Sequence, residues 1–129
     1  MTYDKVAEQL LASVPEFKET YDEHLKDYDG KLLLHVLFAD LTPFVVQQYR
    51  LSMQSGRDHV TAADVFHRIL NFIEDAAHSD DEDVTTLVQV SFLEGLHQAG
   101  PDYNGLIAHL GPASRKMLAN AEEGWVVSE

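Results

Sequence analysis

The chain has 129 residues, a net charge of −13 and no cysteine, so disulfides, thiolate metal sites and a thiol nucleophile are excluded. The acidic balance disfavours binding to nucleic acid and to anionic membranes, because both depend on lysine and arginine. No apolar run approaches the ~20 residues that span a bilayer, and the N-terminus lacks the basic and apolar regions of a signal peptide. We therefore predict one soluble, cytoplasmic domain over residues 1–129.

Residues 1–30 predict two helices. Apolar residues recur at helical spacing over residues 2–13 and again after Pro15. Ser13 and Glu16 form an S-x-x-E capping pattern around Pro15, which places the start of the second helix there. Gly30 is expected to end this helix in the left-handed conformation. The buried row of the second helix is predicted to be Phe17, Tyr21, Leu25 and Tyr28.

The apolar block over residues 32–39 fits either a core helix or a buried strand, and the pattern leaves both open. Asp40 or Thr42 is then expected to cap a new helix that has Pro43 in its first turn. Pro43 should bend the chain between these two pieces. His35 is expected to be a hydrogen-bonded core histidine.

Residues 61–99 predict a helical hairpin at the centre of the fold. Thr61 is expected to cap the first arm, and Asp83, at the end of the acidic connection, the second. Residues 86–92 alternate like a strand, but the apolar pattern over residues 84–96 exceeds the typical strand length of ~5–6 residues. We therefore favour a helix for the second arm.

The remaining residues predict a turn at 100–102, a short helix over 103–110 and a last helix that begins at Pro112. Trp125, the only tryptophan, is expected to dock on the core or to contact another chain. Together these elements predict an all-α, single-domain bundle of about six to eight helices around the central hairpin.

Acidic residues cluster in two places, in the second helix and in the connection of the hairpin. A basic protein is the partner that this charge favours, because opposite fields steer association. The predicted partner-binding residues are Asp80, Asp81, Glu82 and Asp83, joined by Asp22, Glu23, Asp27 and Asp29.

Glu74, Glu94 and His97 are candidates for a metal site, because Glu-x-x-His on a helix is typical of di-iron bundles. Glu74 and Glu94 each continue an apolar row, so each lies either at its solvated edge or buried with hydrogen-bond donors. The donors expected in the buried case are Arg50, Arg68, His35 and Tyr49. Because convergent ligands specify a metal and only Glu94–His97 matches the motif, we expect no cofactor.

The chain contains, in this order, Val14-Pro15-Glu16-Phe17, Phe72-Ile73-Glu74, an acidic turn, Val90-Ser91-Phe92-Leu93-Glu94 and Leu110-Gly111-Pro112. This order resembles that of a family of small uncharacterised bacterial domains. These are packing motifs, and the resemblance implies no activity. The size, acidity and helical build are similar to those of immunity proteins of bacterial toxin systems, an analogy at the level of fold.

The leading functional hypothesis is therefore a non-enzymatic, acidic protein-binding module, of which an immunity protein that neutralises a basic toxin is one form. A metal-dependent helical-bundle enzyme using Glu74, Glu94 and His97 is one alternative. A structural homo-oligomer with Trp125 in its interface is the other.

Overall fold

The computed structural model describes the backbone of residues 1–54, 56 and 58–127, and side chains within these ranges up to residue 121. These residues form seven α-helices and no strand, which confirms the all-α bundle. The helices are α1 Val6–Ser13, α2 Lys18–Asp27, α3 Leu34–Ser52, α4 His59–Ala77, α5 Glu82–Thr86, α6 Tyr103–Ile107 and α7 Pro112–Val127. Three other helical stretches connect them: the 3₁₀ turn Pro15–Phe17, the π segment Leu87–Leu93 and the 3₁₀ segment Glu94–Asp102.

The core lies between α3, α4 and the second arm of the hairpin, which consists of α5, the π segment and the 3₁₀ segment. The second arm packs mainly against α3, a helix whose central position the sequence pattern did not reveal. The largest side chains without exposed surface include Phe17, Phe38, Phe66 and Phe92. Burial of such aromatic side chains contributes much of the stability of a domain of this size.

Helix α3 is one continuous element, so the prediction that Asp40 or Thr42 caps a new helix there is wrong. The block over residues 32–39 is neither a strand nor a separate helix, because α3 runs from Leu34 through Pro43 to Ser52. The reason is burial: the buried row continues past the exposed Pro43, and packing overrides a local propensity. That row consists of Leu34, Leu37, Phe38, Leu41, Thr42, Val45, Val46 and Tyr49.

The second arm is helical, as the length of its pattern predicts. Val88 and Phe92 are buried whereas Val90 is 52% exposed, a distribution that a helix produces and a strand with all three on one face does not. The middle of the arm is wound as a π-helix, and the Thr42 hydroxyl of α3 donates to the Phe92 carbonyl at 3.2 Å. Gly100, with φ of 59°, makes the predicted turn after the arm.

Several helices begin or are capped at residues other than the predicted ones. Helix α1 begins at Val6 instead of residue 2, and α4 begins at His59, two residues before its predicted cap Thr61. Asp81, not Asp83, caps α5, because its side chain accepts a hydrogen bond from the Asp83 amide.

The start of α2 differs from the prediction, and its end agrees with it. The predicted capping bond of Ser13 and Glu16 is absent, since the 3₁₀ turn there has no side-chain cap and Glu16 pairs with Arg68 instead. Gly30 has the predicted positive φ, of 80°, and Asp29 shares it at 54°. The Gly30 amide donates to the Leu25 carbonyl at 2.7 Å, which closes the helix as a Schellman motif.

Helix α7 begins at Pro112, as predicted. Trp125 lies on this helix, but its side chain is outside the described residues, so its core or interface role stays a prediction. None of the helices in the described part of the chain combines the length and the apolar composition needed to cross a bilayer.

Candidate functional site

The α2 surface is the first candidate site. We define it as the side chains of Asp22, Glu23, Asp27, Tyr28, Asp29, Leu32 and Leu33. Its four carboxylates are exposed, and the three apolar side chains are each 40% exposed. Asp22 pairs with Lys18 at 2.6 Å. Among the described residues no cation forms an ion pair with the other three acids, so most of this negative charge faces solvent uncompensated.

His24 fixes the loop that carries the apolar part of this surface. The ring is 2% exposed, and its Nε2 accepts a hydrogen bond from the Leu33 amide at 3.0 Å. It also packs against the Tyr28 ring, with centroids 4.9 Å apart. Of the predicted row, Phe17 is buried as expected, Tyr21 and Leu25 are half-buried, and Tyr28 is exposed, while the structure buries His24 in addition. A histidine buried in place of a leucine is a feature that hydrophobic periodicity cannot reveal.

A cavity of about 430 Å³ opens between α2 and α3, beside the α2 surface. Its apolar walls come partly from Tyr28, Pro43 and Phe44. Burial raises the pKa of Asp40; His24 opposes this rise and Asp27 adds to it. Among the described residues, no lysine or arginine lines the cavity. Its polar lining residues are Thr20, Glu23, His24, Asp27, Asp40 and Gln47.

The acidic connection, which we define as Asp80, Asp81, Glu82 and Asp83, is only partly available to a partner. The Asp81 carboxylate accepts from the Tyr3 amide at 2.9 Å and from the Asp83 amide at 3.0 Å, so it holds the N-terminal segment and the start of α5. The other three side chains are exposed and form no ion pair within the described chain.

Glu74 does not sit at a solvated edge, since its side chain is 18% exposed. Its Oε1 accepts from the Ser114 amide at 3.0 Å and from the Ser114 hydroxyl at 2.9 Å, and its Oε2 accepts from the Ala113 amide at 3.0 Å. His78 Nε2 lies 3.1 Å from Oε2. These donors differ from the four expected ones, because Arg50 pairs with Asp102 and Arg68 with Glu16 and Asp64.

Glu74 therefore caps the first turn of α7 from another helix. Gly111, which precedes that turn, has no side chain to do so, and a Cβ at Gly111 would overlap the Glu74 carboxyl group. Burial alone raises the pKa of Glu74, but hydrogen bonds from Ser114, Ala113 and His78 outweigh burial and hold this pKa below its ordinary value of 4.5. The arrangement is that of a structural carboxylate held ionised at a helix N-terminus.

The candidate metal ligands are not brought together. Glu74 is engaged at α7, Glu94 is half-buried on the 3₁₀ segment, and the exposed His97 stacks on Tyr103 with ring centroids 4.3 Å apart. Within the described residues no group of three or more His, Asp or Glu side chains could hold a metal ion. His35, predicted in the core, is exposed, and its Nδ1 lies 2.6 Å from Ser91 Oγ.

A family model for a domain of unknown function, DUF7674, matches residues 7–125. The chain belongs to this family. No curated protein and no solved structure matches it significantly. Membership of DUF7674 confirms the resemblance to an uncharacterised domain family. It assigns no activity, so the functional argument rests on the geometry above.

Proposed function

We propose that this DUF7674 domain is a non-enzymatic, acidic protein-binding module that binds a basic protein through its α2 surface. The observation that carries the proposal is the composition of that surface. It combines four exposed carboxylates, three of them without an ion pair among the described residues, with three partly exposed apolar side chains, and protein interfaces likewise combine polar and apolar residues. Tyr28 is of the residue type most often found as an interface anchor.

The net negative charge should also increase the rate of association with a basic partner. A chain of net charge −13 attracts a basic partner over a Debye length of ~8–10 Å at physiological salt, and such steering raises the association rate. The acidic connection adds to this long-range field. We rank it below the α2 surface as the contact area because Asp81 is already used inside the fold.

We propose further that the partner is a basic toxin, which would make this chain an immunity protein. The support is the small size, the acidity and the helical build, together with an exposed acidic surface that a cationic protein would cover. This step rests on analogy at the level of fold.

The experiment measures binding of a fluorescent hexa-arginine peptide by anisotropy at low salt. The α2 variant carries Asp22→Asn, Glu23→Gln, Asp27→Asn and Asp29→Asn. Asparagine suits the positive φ of residue 29. The matched control carries Asp4→Asn, Glu8→Gln, Asp58→Asn and Asp75→Asn, four exposed acids elsewhere with the same change in net charge.

We expect the α2 variant to bind at least about tenfold more weakly, and the control no more than about threefold more weakly, because nearby charges dominate at short range. A third variant with Asp80→Asn, Glu82→Gln and Asp83→Asn tests the acidic connection. Equal losses in all variants would mean that the peptide senses only net charge, and the α2 surface would then be rejected as the binding site.

A further inference from the structure

His24 is a buried histidine whose two ring nitrogens have different surroundings. Its Nε2 accepts a hydrogen bond from the Leu33 amide at 3.0 Å, so Nε2 carries no proton. The proton of the neutral ring therefore lies on Nδ1. Nδ1 is buried and has no hydrogen-bond partner among the described residues. The arrangement thus requires the neutral form of the ring.

The bond between His24 and Leu33 attaches the far end of the α2–α3 loop, residues 28–33, to α2. At the near end of this loop, the Gly30 amide donates to the Leu25 carbonyl of α2. Leu33 is the last residue before α3, and the His24 side chain holds its amide. This bond therefore positions the loop, which carries the three apolar side chains of the α2 surface.

A second proton on the His24 ring removes this bond. Both nitrogens of a protonated histidine are donors, so the Nε2 proton faces the N–H group of Leu33 and the Nδ1 proton still lacks an acceptor. A buried charge without hydrogen-bond partners is unfavourable, whereas water offers acceptors to both N–H groups once the ring is exposed. Protonation therefore favours release of the ring and of the loop that it holds.

The titratable groups around His24 come from two helices. On α2, the Tyr28 ring packs against it, and Glu23 and Asp27 line the same cavity as His24. On α3, Asp40 interacts with it electrostatically. The three carboxylates attract a proton to the ring, but none of them accepts a hydrogen bond from Nδ1. They therefore favour protonation without replacing the bond that protonation breaks.

We propose that His24 is a pH-sensitive switch of the α2 surface. Above the range in which histidine titrates, near pH ~6.5, the neutral ring holds the Leu33 amide and the loop is closed. As the pH falls through this range, the loop is released and its apolar side chains leave the α2 surface. The release is a property of the free chain. Its consequence, weaker binding of a basic partner in acid, rests on the function proposed above.

The first experiment follows the free ¹⁵N-labelled chain by NMR from about pH 7.5 to about pH 5.5, on both sides of the histidine range. It measures the protection of the Leu33 amide from hydrogen exchange and the ring nitrogen signals of His24. We expect the protection factor of Leu33 to fall at least about threefold, because protons taken up only by the released form favour that form. The Leu41 amide, inside α3, should keep its protection.

His24→Gln separates the charge of the ring from its hydrogen bond. The side-chain oxygen of glutamine accepts from an amide and does not titrate, so the protection of Leu33 should not depend on pH in this variant. His67→Gln, at an exposed position of α4, is the matched control and should keep the wild-type response. Constant protection in the wild type, or an equal fall in His24→Gln, would overturn the switch. If His24→Gln does not fold, the wild-type titration decides alone.

The second experiment measures hexa-arginine binding at the same two pH values. The wild type should lose several-fold more affinity in acid than His24→Gln, whereas the other six histidines contribute equally to both. Equal losses would show that release of the loop does not control the α2 surface. Absence of hexa-arginine binding at both pH values would reject the proposed function, and the exchange of the Leu33 amide would still decide whether His24 is a switch.

Discussion

Glu74 shows how a single residue can hold this fold together. It lies on α4 and binds the amides of Ala113 and Ser114 at the start of α7, 39 and 40 residues further along the chain. A negative charge at this position also interacts favourably with the positive end of the helix dipole. The residue that sequence reasoning considered for catalysis or metal binding is thus a capping residue.

We predict that Glu74→Gln lowers the free energy of unfolding by about 1–3 kcal/mol at neutral pH. The amide group of glutamine removes the charge and turns one acceptor into a donor that faces backbone amides. Urea denaturation measures the effect. Asp75→Asn, at the exposed neighbouring position, should change the unfolding free energy by no more than about 0.5 kcal/mol.

The stability difference between wild type and Glu74→Gln should also depend on pH. The pKa of Glu74 in the folded chain lies below 4.5, so its stabilising contribution is complete above the unfolded pKa and is lost as the pH falls through the folded pKa. The stability difference between wild type and Glu74→Gln should therefore shrink as the pH falls below about 4.5. A difference that stays constant over this range would show that the charge of Glu74 is not the stabilising feature.

A second prediction at the scale of single residues compares the contributions of Asp81 and Asp83 to stability. Asp81→Ala should cost about 1–2 kcal/mol of unfolding free energy, because it removes the cap of α5 and the bond to the Tyr3 amide. Asp83→Ala, an equal change in charge at an exposed position, should cost little. Thermal unfolding followed by circular dichroism compares the two, and the reverse order would restore Asp83 as the cap.

At the scale of elements, α3 separates what a sequence pattern can predict from what it cannot. Its buried residues recur at helical spacing on both sides of Pro43, but proline normally ends or kinks a helix. The local signal predicts that a new helix starts near Pro43, whereas the packing of α3 against α4 and the second arm keeps the helix continuous. In the second arm, by contrast, the length of the apolar pattern correctly predicted a helix, but no sequence feature predicted that part of it is a π-helix.

We predict that Pro43→Ala increases the free energy of unfolding, by about 1–2 kcal/mol. Alanine restores an amide hydrogen inside α3 and removes the clash of the proline ring with the preceding turn. The gain is partly offset because the unfolded chain becomes more flexible. Urea denaturation tests this, and a loss of stability would mean that the core is packed around a bend that proline creates.

At the scale of the whole molecule, the candidate site was predicted in part. The acids of α2 and of the acidic connection are visible in the sequence as charge clusters, and exposed charge needs no tertiary structure to be recognised. Asp40 and the buried His24 could not be predicted, because the cavity exists only once α2 packs beside α3. The role of Asp81 was missed for the same reason, since its partner Tyr3 is 78 residues away.

The central claim is that a basic partner binds at the α2 surface, and the most direct test maps a binding site on the whole chain. The measurement is an NMR titration of the ¹⁵N-labelled protein with hexa-arginine, read at every backbone amide. The account predicts the largest shifts within residues 20–33, and their loss in the α2 variant. Shifts centred on residues 80–83, or spread evenly over all acidic segments, would contradict it.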